Sequence, residues 1–342
     1  MLRILAILLI TTVHYINYSK IMDNNVLTTA NRIFLAFFDS LRVAGVNIFV
    51  LITGFFQCTK KPNLTKIFDL WMRVVTISVL LLVFSALFLK NITISAILKS
   101  FLPITTVHYW FFVTYVLLYF ISPYLNMVIE RVEQKKLFWL CVSGGFVISV
   151  LFVMNPFAIA EVYIGHSHGI CWFVYLYFVG AYIRLYGCRV RNRYVFAVSL
   201  SVFTLIYIIK YFKIASLANL LMFGNDSLLP LILSVSLFIL FKDVNINSTL
   251  LSSASAKLVS CSFFVYIIQE HDLIRNWFWN LFSITKYADS YFLPINFAIS
   301  LLVLWPIAYL YVYIYDRLFG KLSMKIYDRF ADISKRLLIN RK

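Results

Sequence analysis

The sequence predicts an all-α, polytopic integral membrane protein of about ten transmembrane helices. Three observations predict it. Of 342 residues, 62% are hydrophobic and only 13% charged, about half the charged share of soluble domains. Mean hydropathy is +0.87. Apolar runs close to the roughly 20 residues that cross a bilayer follow one another along the chain, separated by brief polar loops. There is too little charge to coat a soluble surface, and too much hydrophobicity for a disordered chain. A net charge of +17 suggests nucleic-acid binding in a soluble protein. In a membrane protein it marks basic cytoplasmic loops instead, and no nucleic-acid partner is expected. Five scattered cysteines, without CxxC spacing, suggest neither a disulfide framework nor a zinc site.

The first run, 2–18, carries Arg3 at its boundary and His14 near the bilayer middle. On a helix their eleven-residue spacing is about 16.5 Å of rise, and the two side chains share a face. Arg3 reads as a topology signal and His14 as a hydrogen-bonded core histidine, or the two form a functional pair. The second run, 34–58, holds Arg42 at the head of RVAGVNIFVLITGFF, where it reads as an outer-boundary charge. In the third, 67–89, Asp69 and Arg73 have the spacing of an i,i+4 ion pair, or Arg73 binds an anion near the cytoplasmic face. Runs 109–129, 137–154, 170–186, 194–212 and 227–242 follow, with His108 preceding Tyr109 and Trp110, which read as interfacial aromatics. His166 and His168 form an H-x-H without an evident third ligand, so no metal is expected.

The ninth run, 258–280, interrupts its apolar residues with Gln269, Glu270, His271 and Asp272. At helical rise Glu270 lies about 20 Å past Lys257, close to the depth of His14. A carboxylate and an imidazole at one depth suit a base and its orienting partner. The bland alternative is a polar cluster facing water. The tenth run, 294–315, completes a transmembrane domain of 1–315, and residues 316–342 form a basic tail. With the N-terminus in the cytoplasm, 21 Lys and Arg fall on the cytoplasmic side and 8 on the other. That bias predicts both termini in the cytoplasm.

Five ordered segments resemble the integral-membrane acyltransferases of the acyltransferase type 3 family, above all those that O-acetylate bacterial surface polysaccharides. Arg3 and His14 match its Arg-x10-His signature, and VNIFVLITGFF at 46–56 is similar to its FFxISGF run, with Thr53 where Ser is usual. YWFFVTYVLLYFISPYLN (109–126) and WFVYLYFVGAYIRLY (172–186) resemble its fourth and sixth helices. FVYIIQEHDLIR (264–275) resembles the late segment that carries His and an acidic residue, here with Gln269 in the histidine's place and His271 beside it.

The resemblance implies acetyl transfer from cytoplasmic acetyl-CoA to a hydroxyl of a cell-surface polysaccharide or its lipid-linked precursor, in the bacterial inner membrane. It implies His14 as the base, Glu270 as its partner, and Arg3 with Arg73 as cations for the coenzyme phosphates. Some members carry a fused C-terminal extracytoplasmic domain, whereas about 27 residues, eight of them Lys or Arg, follow the last span here. Transfer is then completed by the membrane domain or with a separate partner. A transporter or flippase of a lipid-linked glycan or anion is the alternative, without the inverted repeats such proteins show.

Overall fold

The structure, a computed structural model, describes residues 1–61, 63–90, 92–151, 168–222, 224–244 and 248–320. His166, the end of the predicted span 137–154 and the tail beyond 320 lie outside the described residues. Among the described residues there is no strand, and the chain is helical throughout. In order the helices are α1 (Leu2–Ser19), α2 (Thr29–Leu41), α3 (Gly45–Gln57), α4 (Leu64–Phe84), α5 (Ile94–Phe101), α6 (Trp110–Arg131), α7 (Gln134–Phe146), α8 (Ile170–Tyr186), α9 (Asn192–Tyr211), α10 (Ala215–Leu221), α11 (Leu228–Phe241), α12 (Thr249–Glu270), α13 (Arg275–Leu281), α14 (Leu293–Leu302) and α15 (Leu304–Leu318).

Six helical stretches among the described residues are long and apolar enough to cross a membrane: Leu2–Ser19, Thr29–Gln57, Leu64–Leu89, Trp110–Arg131, Asn192–Tyr211 and Leu293–Leu318. Ile170–Tyr186 and Leu228–Phe241 are apolar but shorter. Among the described residues three of the ten expected spans depart from a single uninterrupted helix: the second, the ninth and the tenth. The second is broken: α2 and α3 meet at Arg42–Ala44, a short 3-10 turn that sets a charged residue in the interior of the span. The ninth stops early. α12 ends at Glu270, where the Nδ1 of His271 accepts the Leu273 N–H at 3.3 Å, and the chain turns before α13. A side chain that bonds its own backbone competes with helix continuation.

Two prolines explain local shape. Pro306 has no N–H for the carbonyl of Leu302, and the tenth span divides into α14 and α15 at Val303. Pro123 lies inside α6 and leaves the carbonyl of Tyr119 without its helical donor. The Ser122 hydroxyl donates to that carbonyl at 2.8 Å. In a lipid environment an orphaned backbone group costs several kcal/mol, about as much as an unpaired polar group in hydrocarbon, so such repair matters.

α1 is the central helix, in contact with α2, α3, α12, α13 and α14. The tightest packing lies between α3 and α8. A Cβ on Gly54 would stand 2.4 Å from the Tyr177 carbonyl oxygen, and one on Gly180 2.4 Å from that of Leu51. Small residues let backbones meet where lipid supplies no hydrophobic drive for helix association. Buried polar pairs add to this. Trp172 Nε1 donates to Asn47 Oδ1 at 2.9 Å, and the Tyr177 hydroxyl donates to Asn126 Oδ1 at 2.7 Å.

Contacts sort the loops into two ends. At one end Asn126 donates to the Gln57 carbonyl, Arg73 meets Asp316, and the Arg184 guanidinium lies over Phe55. At the other, Asn31 donates to the carbonyls of Ala288 and Ser290, and Lys213 meets Asp23. Gly180→Leu should force α3 and α8 apart, at the upper end of overpacking costs, about 3 kcal/mol. The expected outcome is loss of the monodisperse peak in detergent size-exclusion and a lower melting temperature. An unchanged profile would refute the close approach.

Candidate active site

The α1 face that carries Ile10, His14 and Tyr18 at four-residue spacing meets the last turn of α12. His14 Nε2 lies 3.2 Å from Glu270 Oε1, and the two side chains are only 12% and 13% exposed. The Tyr18 hydroxyl donates to the same oxygen at 2.7 Å. Arg275 Nη1 stands 3.9 Å from Glu270 Oε2, with its guanidinium over the Tyr18 ring. Glu270 closes a helix whose C-terminal carbonyls disfavour a carboxylate. Tyr18 and Arg275 offset that repulsion, and Arg275 begins α13, the helix made possible by the turn after Glu270.

The contact with Glu270 favours a proton on Nε2 of His14. A neutral imidazole then carries its lone pair on Nδ1. Nδ1 is buried and has no hydrogen-bond partner among the described residues. Such an arrangement leaves one ring nitrogen oriented and the other available as a base.

His14, Tyr18 and Glu270 line a cavity of about 440 Å³ shared with Arg42, Lys210, Trp110, Tyr266 and Phe111. Arg3 lines a separate cavity of about 460 Å³ at the other end of α1, with Lys66, Arg73, Asp69, Asp316, Tyr115 and Phe49. An aromatic partition stands between the two. Phe49 meets Phe111 edge-on at 5.3 Å, Phe111 meets Tyr266 at 5.8 Å, and Phe263 meets Tyr266 at 6.0 Å.

Each residue expected from the sequence thus has a place. His14 and Glu270 are brought together. Arg3 is exposed and makes no ion pair among the described residues. Arg73 lies in the same wall, but Asp69 and Asp316 hold its guanidinium at 2.7 and 2.6 Å, and it stacks on Tyr315 at 4.4 Å. The i,i+4 pair is therefore formed and joined by a second carboxylate. Gln269 is fully buried beside the His14 ring. His271 packs on His108, ring centroids 4.9 Å apart, so it is Glu270 that meets His14. The His168 ring sits 4.2 Å from Trp110.

Four residues of the site are not among those the sequence marks as functional. Tyr18 follows His14 by one helical turn, a spacing that was available as a signal. Arg275 had no local signal, since it depends on the turn after Glu270. Arg42 reads as a boundary charge and Lys210 as an outer cation, yet both reach the His14 cavity through a shared partner, Asp39.

A double-mutant cycle on His14→Ala and Glu270→Gln should give a coupling of about 0.5–3 kcal/mol in thermal stability, the range for residues in contact. Additivity would show that the two side chains do not interact.

The family model of the acyltransferase type 3 proteins, described as an acyltransferase domain, matches residues 1–314. No curated protein and no solved structure matches the chain. The ordered segments and a match spanning nearly the whole helical bundle agree, and the chain belongs to the acyltransferase type 3 family of membrane acyltransferases.

Proposed function

We propose that the protein is an O-acetyltransferase that moves acetyl from cytoplasmic acetyl-CoA to a hydroxyl of a cell-surface polysaccharide or its lipid-linked precursor. The observation that carries this reading is the His14–Glu270 pair, whose residues line one cavity while Arg3 lines another at the far end of the same helix. The basic excess at the Arg3 end supports a cytoplasmic face there, and the proposed donor and acceptor suit a bacterial inner membrane.

The chemistry runs as one displacement. The acceptor hydroxyl is far too weak an acid to ionise at neutral pH, so it needs a base as it attacks. His14 Nδ1 takes the hydroxyl proton while the oxygen bonds to the thioester carbonyl carbon. The carbon–sulfur bond then breaks, and the proton passes from the imidazolium to the departing thiolate. Glu270 stabilises the imidazolium and holds the ring through Nε2, and Tyr18 and Arg275 fix Glu270. The coenzyme carries several phosphates, which suit the Arg3 cavity, where Lys66 adds a second cation.

The broken span at Arg42–Ala44 favours one other reading, because discontinuous helices also form transport sites. In that reading the protein moves a lipid-linked glycan or an anion. Purified protein incubated with labelled acetyl-CoA and glycan separates the two. Label in the glycan supports transfer, whereas glycan movement in liposomes without label supports transport.

His14→Ala should lower the acetylation rate by about 10²–10⁴, the usual share of a general base, while the protein still inserts. Near wild-type acetylation would refute the role of His14. Arg3→Ala should raise KM for acetyl-CoA about tenfold with little change in kcat, as expected on losing one charged hydrogen bond. Unchanged kinetics would remove Arg3 from the donor site.

A further inference from the structure

The His14 cavity contains a feature that acyl transfer to a neutral sugar does not require. Asp39, 4% exposed, lies in the interior of the bundle. It pairs with Arg42 Nε, and Lys210 Nζ stands 2.8 Å from its other oxygen. Both cations line the His14 cavity, and Asp39 does not. One carboxylate thus holds two positive groups in place, and because Glu270 in the same cavity is engaged by His14, Tyr18 and Arg275, the pair keeps one surplus positive charge there. The Arg42 and Lys210 side chains are still 16% and 21% exposed, so each retains N–H groups for a further partner. A second cavity of about 360 Å³ shares both cations with Asp39 and continues to Lys20 and to the Lys213–Asp23 pair.

An uncompensated cation in a poorly hydrated bundle is costly, and such groups inside spans most often mark a substrate path. A guanidinium and an ammonium held side by side match the oxygens of a carboxylate or a phosphate. The position is also distinct from the donor side, because the aromatic partition separates it from the Arg3 cavity.

Resting on the acyltransfer reading, we infer that the acceptor is acidic, and that a carboxylate or phosphate on its sugar unit is held between Arg42 and Lys210. The anion places the saccharide so that one hydroxyl faces His14. Asp39 is a positioning residue, since it acts through the two cations.

The test is calorimetric titration of the full chain in detergent, without acyl donor. The probes are methyl glucuronoside, glucose 6-phosphate and methyl glucoside. The acids are expected to bind at least about tenfold more tightly than the neutral sugar. A preference for the carboxylate assigns the charge to an acidic sugar, and a preference for the phosphate assigns it to a phosphorylated unit. Lys210→Met should bring the ratio close to one, and Lys210→Arg should preserve it. Asp39→Asn frees more positive charge and should widen the ratio, whereas a purely structural Asp39 would weaken binding of acids and neutral sugar alike. Should Asp39→Asn not fold, the two Lys210 variants decide. Equal binding of acid and neutral sugars, or discrimination that survives Lys210→Met, would overturn the inference. Failure of acyl transfer itself is read separately, by absence of label from acetyl-CoA in any acceptor. Discrimination without label would leave the anion site standing and remove the enzyme reading.

Discussion

A charge sunk in an apolar bundle survives only where other groups of the protein take over the work of water. That constraint organises most of what is distinctive here. Glu270 is met by His14, Tyr18 and Arg275, and Asp39 by Arg42 and Lys210. Arg73 is met by Asp69 and Asp316. Each cluster draws residues from two or more helices, so satisfying the charges also sets which helices touch.

The two ends of α1 divide the chemistry. A cationic cavity lies around Arg3 and a mixed polar one around His14, and aromatic rings lie between them. Burial of both side chains makes the interaction of His14 with Glu270 stronger than it would be in water.

Much of the architecture was legible in composition and charge. The apolar runs marked the helices, and the placement of Lys and Arg grouped the loops that the contacts gather at each end. His14 and Glu270 stood out because so few ionisable residues interrupt the apolar runs. The partners were not legible, because they are distant in the chain: Arg73 and Asp316 lie 243 residues apart. Lys210 read as an outer cation, since it falls at the end of an apolar run, and only the packing of α9 on α2 brings it to Asp39. Helix breaks were also hidden. In a uniformly apolar run, helical periodicity carries little signal, and neither Arg42 nor His271 is a proline or glycine that would announce a break.

The close backbone contact at Gly54 and Gly180 has a mechanical consequence. With the Trp172–Asn47 and Tyr177–Asn126 bonds, it joins α3, α8 and α6 into one stiff frame, and that frame carries Phe49 and Phe111. Tyr266 belongs to α12 and meets Phe111 of that frame at 5.8 Å. The partition thus rests on the stiff frame on one side and on α12 on the other, so any shift of α12 moves Tyr266 and Glu270 together.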